Sequence, residues 1–145
     1  MRLWHYELLP YLPDAQFKGQ LRELVAIMHD WGDKGKTNHL LINQVMLYPK
    51  NDLVRYFVYY EAVYHNRYGK WLKQSKEFLD FDDTPLNKRS KGCFNGWHDK
   101  DYLRVCMANL YEKYHFGIGK SVLTTTEWET LLRGYKEIIG EEYVI

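Results

Sequence analysis

Glu23 is the first side chain in this sequence whose setting suggests chemistry. It lies in the stretch FKGQLREL, residues 17–24, where Phe17, Leu21, Leu24 and, just beyond, Met28 mark one apolar side of a helix. A carboxylate between such neighbours has two readings. It sits on a solvated flank, pairing with a basic side chain, or it lines a cleft where its proton affinity suits acid–base work. Gly19 lies one turn earlier. A glycine inside a helix costs about 1 kcal/mol. The missing side chain therefore leaves room either for a ligand or for a second helix.

Basic residues are the next feature. Arg67, Lys70, Lys73 and Lys76 recur every three residues with no acid between them, and Lys88, Arg89 and Lys91 follow in a polar stretch. On a continuing helix the first four form a drifting stripe. Such a stripe is either a solvated face or a surface that neutralises phosphates, with affinity that falls as salt rises. Thirteen tyrosines and five tryptophans add amphipathic rings. Phe57, Tyr60 and Tyr64 fall at core spacing, whereas Tyr56, Tyr59 and Tyr68 are freer to face a groove. Metal chemistry is poorly served. The six histidines are scattered without HExxH, and Cys93 and Cys106 form no CxxC pair. GDKGKT lacks full phosphate-loop spacing. Neither a metal nor a cofactor is expected.

The elements that must position these residues read as helices. Residues 1–13 look extended or irregular, with Pro10 and Pro13 as breakers. Asp14 is placed to cap a helix to about Trp31. A second helix is expected over about 38–48, ending at Pro49, and a third begins after Asn51 or Asp52. From Phe78 to Trp97 periodicity disappears, and residues 80–97 are expected to form a long loop that orders over substrate. Asp99 is placed to cap a helix to about Tyr114. Thr124 with Glu127, or Thr126 with Glu129, offers a capping box for a last helix to about Ile139. Strand alternation is weak throughout, so the fold class is all-α, with residues 1–145 as one domain.

Composition bounds the function. With 46% hydrophobic and 17% aromatic residues the chain is globular. Its net charge of +1 lacks the bulk positive charge of many nucleic-acid binders, so any such binding must come from local charge. Free thiols fit a reducing cytoplasm. No apolar stretch is long enough for a membrane span, and MRLWHYELLP lacks the apolar run of a signal peptide.

The segment MRLWHYELLPYLP…FKGQLREL resembles the pyrimidine dimer DNA glycosylase family, the dimer-specific endonuclease V type, and is closest to a bacterial branch of it. Met1 to His5 and the group Gly19, Gln20, Arg22 and Glu23 carry the resemblance. Residues 31–71 look like the next two helices of that branch, and HDKDYLRVCMANL, residues 98–110, resembles a later one. The resemblance implies a compact all-α glycosylase with AP lyase activity, acting on damaged pyrimidines such as pyrimidine dimers. Its substrate would be double-stranded DNA carrying a damaged base or abasic site. In that family the N-terminal amine attacks the sugar and forms an imine, and the helix glutamate supports the chemistry. Methionine is normally removed only before small residues, so with Arg2 following the amine would be that of Met1.

The resemblance thus implies Met1 as nucleophile and Glu23 as acid–base or electrostatic group. Arg2 and Arg22 would make phosphate or orienting contacts. Gly19 and Gln20 would border the substrate, and Arg67, Lys70, Lys73 and Lys76 would face DNA. A cytoplasmic monomer without cofactor is expected. The alternatives are a non-catalytic nucleic-acid-binding protein of the same fold and a helical interaction protein.

Overall fold

A computed structural model describes residues 2–34, 40–87, 91–117 and 122–145. Among them the chain is all-α, without a strand. A 3₁₀ helix, Tyr6–Tyr11, precedes α1 (Asp14–Lys34), α2 (Leu40–Val45), α3 (Lys50–Tyr68), α4 (Ser75–Phe81), α5 (Lys100–His115) and α6 (Thr125–Ile139). Buried side chains from all of these join one core.

The N-terminal segment is the main departure from expectation. Residues 6–11 are helical despite Pro10, which sits inside the 3₁₀ turn. Leu3, Leu8 and Leu9 are fully buried, and Trp4 and His5 nearly so. The segment is therefore a central rod of the core, on which α3 and α6 pack. Gly134 permits the α6 contact, because a Cβ there would come within 2.4 Å of the Tyr11 ring.

Local signals set the later helices. The Asp99 carboxylate accepts the Tyr102 N–H at 2.9 Å and starts α5. Thr124 and Glu127 form the reciprocal box that starts α6, which ends at Gly140 in the left-handed region. Asp14 does not act as expected. It opens α1, but its carboxylate is taken by Tyr68 Oη at 2.7 Å and by the Arg67 guanidinium at 3.2 Å. Helix α2 ends at Val45, before the expected 48, and Leu40 and Leu47 are exposed, leaving Ile42 and Val45 as its buried contacts.

The expected long loop is also different. Its first residues form the end of α4. Cys93, Phe94, Trp97 and His98 are buried, so residues 92–98 are core and not a lid. Gly92, Phe94 and Gly96 have φ of 77°, 55° and 90°. These left-handed residues fold the segment tightly and erase any helical period. The Phe94 N–H is held by the Asp52 carboxylate at 3.3 Å. The remainder lies along α3, where Asn51 and Arg55 donate to the Thr84 and Asn87 carbonyls. Lys88 and Arg89 lie outside the described residues.

His5 and His98 stack with centroids 5.3 Å apart inside this core. His98 Nδ1 accepts the Tyr6 N–H at 3.2 Å, and His5 Nδ1 accepts the Glu7 N–H at 3.1 Å. Burial lowers both histidines from the ordinary 6.5, His5 to about 4 and His98 to about 2. The unfolded chain therefore takes up protons that the folded chain refuses. Stability from the neutral rings is complete above about pH 6.5 and is lost as pH falls through the window toward 4 and below. Chemical denaturation should show a loss of about 1.4 kcal/mol per pH unit for each ring across that window. His98→Asn should flatten the profile by one such contribution, even though it lowers stability at neutral pH.

Candidate active site

Glu23 stands on the half-exposed side of α1, beside the backbone of the N-terminal segment. Its Oε2 accepts the Arg2 backbone N–H and the Gln20 Nε2–H, each at 3.1 Å. Gln20 is the device that brings the two together. Its Nε2 also donates to the Arg2 carbonyl at 2.9 Å, and its Oε1 accepts the Trp4 N–H at 2.7 Å. The amide thus pairs with residues 2 and 4 as a neighbouring strand would. The single Tyr56 Oη–H is shared between the Trp4 carbonyl at 2.6 Å and Gln20 Oε1 at 3.1 Å. Tyr102 Oη donates to the Leu3 carbonyl at 2.6 Å. Helices α1, α3 and α5 each contribute a side chain that fixes the backbone of residues 2–4.

A pocket of about 320 Å³ opens beside this lattice, lined by Trp4, Ala15, Gln16, Gly19, Gln20, Arg22, Glu23 and Lys113. Gly19 has no helix against it. The nearest atom to an added Cβ is a terminal nitrogen of Arg22 at 3.8 Å, an ordinary contact with a mobile side chain. The space is therefore pocket, unlike the packed space at Gly134. Arg22 is exposed at the rim, and the Arg2 guanidinium lies 5.7 Å from the Trp4 ring centroid. Gln20 lines the pocket but is only 1% exposed, with its amide committed to protein partners. Its part is to hold the segment. Met1 lies outside the described residues.

The basic stripe is not continuous. Gly69, at φ 69°, ends α3 by donating its N–H to the His65 carbonyl. Lys70 and Lys73 follow in non-helical backbone, and Lys76 is on α4; all three are exposed. Arg67 does not face outward with them. Its guanidinium donates to the carbonyls of Leu9, Pro10 and Leu12 at 3.2, 3.0 and 2.7 Å, and lies 4.3 Å from the Phe17 ring centroid. It clamps the end of the 3₁₀ helix to α3. Arg67→Ala should therefore destabilise the fold by about 2–3 kcal/mol in chemical denaturation, since charged hydrogen bonds to several carbonyls are lost. The salt slope of DNA binding should stay as it was.

The aromatic expectations divide similarly. Phe57 and Tyr60 are buried as expected, but Tyr56 is fully buried as well. Tyr59 is half-buried against Tyr6, at 5.4 Å between centroids, and its Oη accepts the Gly92 N–H. Tyr68 is half-buried at Asp14. Sequence reasoning missed Lys113, which reaches the pocket from α5. Among the described residues no cluster of three or more potential metal ligands occurs, and no helix is long and apolar enough to cross a membrane.

Fold and site together define a helical domain with a carboxylate pocket built on its N-terminal segment. A model of the pyrimidine dimer DNA glycosylase family matches residues 1–73, just over half of the 145 residues, and the chain belongs to that family. The match includes Gln20, Glu23 and Tyr56 but not Tyr102, and it ends before α4. No curated protein matches, and no solved structure matches.

Proposed function

We propose that the chain is a DNA glycosylase with AP lyase activity that works through an N-terminal amine. Family membership implies a DNA-repair enzyme of the pyrimidine dimer class. The observation that carries the finer reading is the 3.1 Å hydrogen bond from the Arg2 N–H to Glu23. Arg2 N is the atom to which residue 1 is joined, so the carboxylate is held next to the peptide link that leads to the amine.

The chemistry suits those groups. An α-amine has an ordinary pKa of about 7.7–8.0, against about 10.4 for lysine, so a useful fraction is unprotonated near neutral pH. The amine of Met1 attacks the sugar C1′ of a damaged nucleotide as the glycosidic bond breaks. Loss of a proton from nitrogen and opening of the sugar ring give the imine. Removal of a proton from C2′ then expels the 3′-phosphate and cuts the strand. Glu23 stabilises the positive charge that develops on the sugar and carries protons between these steps. Gly19 leaves room for the displaced nucleotide, whose unstacking is easier at a lesion. Arg2 and Arg22 orient the strand, and Lys70, Lys73 and Lys76 extend the phosphate-facing surface. Residues 1–145 act as one domain, as a cytoplasmic monomer.

The test is strand incision on duplexes that carry a single pyrimidine dimer, a single abasic site, or no lesion. Cleavage at the dimer and the abasic site, without added metal, is the expected result. Cleavage at the abasic site alone would retain the lyase and remove the dimer as substrate. Binding without cleavage of any duplex would leave the non-catalytic alternative.

A further inference from the structure

The family match ends at residue 73, yet one wall of the pocket comes from well beyond it. Lys113, in the last turn of α5, lines the pocket with Trp4, Gly19, Arg22 and Glu23. Among the described residues it is the one lining residue supplied from outside the first 23. Its side chain is half-buried, and among the described residues no ion pair joins it to Glu23 or to any other carboxylate.

The root of this lysine is fixed while its head is not. The Lys113 carbonyl accepts the Leu123 N–H at 3.4 Å, and a Cβ on Gly117 would come within 2.1 Å of the same oxygen. Gly117 and Leu123 therefore both lie close against the Lys113 carbonyl. A lysine in a last helical turn also complements the helix dipole, by about 0.3–1 kcal/mol. That role does not require the side chain to line a pocket containing a carboxylate.

A phosphodiester entering this pocket would be repelled by Glu23. A cation from another helix offsets that repulsion without neutralising the carboxylate. An ammonium on a flexible stem suits phosphate as a point charge. We propose that Lys113 is a substrate-positioning residue, whose ammonium holds a phosphate of the damaged strand beside the sugar at Glu23. With Arg22 at the rim, the strand then has cations from both α1 and α5. This assignment rests on the glycosylase reading above.

The experiment compares Lys113→Gln, Lys113→Arg and a surface control, Lys100→Gln, in the first turn of α5. Binding to a duplex bearing a stable abasic-site analogue is measured across salt concentrations, and cleavage of a true abasic site is measured in single turnover at saturating protein. Lys113→Gln should bind several-fold more weakly and lower the salt slope by about 0.9, the value for one lost phosphate contact. Its saturated rate should fall by less than its affinity does. Lys113→Arg should restore the slope, and Lys100→Gln should leave it unchanged. A wild-type slope in folded Lys113→Gln overturns the proposal, as does an equal change in Lys100→Gln. Lost cleavage with unchanged affinity also overturns it, because the lysine would then belong to the chemical step. Wild-type protein that binds but never cleaves would remove the glycosylase reading, and the slopes alone would then decide whether Lys113 contacts phosphate.

Discussion

Glu23→Gln should yield a folded protein that still binds lesion DNA but cleaves it at least about a hundredfold more slowly, the scale of a lost acid–base group. The substitution keeps nearly the same shape. One oxygen remains to accept the Arg2 and Gln20 N–H groups that now meet at Oε2, so the N-terminal segment stays in place. What disappears is the negative charge and the ability to carry a proton. Single-turnover cleavage and DNA binding, measured on the same preparation, separate the two effects. If Glu23 is only a structural acceptor, the variant is less stable, but each folded molecule cleaves at the wild-type rate.

Gln20→Leu should have the opposite signature. It removes one amide on which Arg2, Trp4, Glu23 and Tyr56 converge. The Trp4 N–H would lose its partner in a buried setting. An orphaned buried polar group costs about 1–3 kcal/mol, and here others lose a partner with it. A total of about 3–4 kcal/mol is expected in chemical denaturation. Activity should fall as well, because residues 2–4 are no longer held beside Glu23. Gln20→Glu retains an acceptor for Trp4 but places a second carboxylate beside Glu23. It should recover part of the stability and little of the activity. Equal loss of stability and of specific activity in both variants would speak against a positioning role.

The parts of this molecule that local chemistry determines were legible in the sequence. Asp99 and the Thr124–Glu127 pair marked helix starts because a cap is a matter of a few adjacent residues. The apolar period of α1 placed Glu23 beside Gly19, and the pocket is there. Where packing in three dimensions decides, the reading failed. Arg67 lies within α3, but the stripe continues only if the helix does, and Gly69 stops it. That glycine was the available signal. Tyr56 looked free because helical spacing assigns one buried face, whereas α3 is enclosed by both the N-terminal segment and residues 92–98. The latter segment reaches the core through left-handed turns and packed rings, for which no simple period exists. Lys113 gave no sign at all, since its place at the pocket depends on where the tertiary fold sets the end of α5 relative to α1.

The central claim is that the N-terminal amine, held near Glu23, is the nucleophile. Borohydride trapping on abasic-site DNA tests it most directly, using protein that begins at Met1 alongside protein carrying a few extra residues before it. An imine formed by the amine is reduced to a stable protein–DNA adduct. This adduct is expected for protein beginning at Met1 and none for the extended form, with both forms equally folded and both bound to DNA. An adduct of equal yield from both would assign the imine to a lysine, and no adduct from either would contradict amine catalysis altogether.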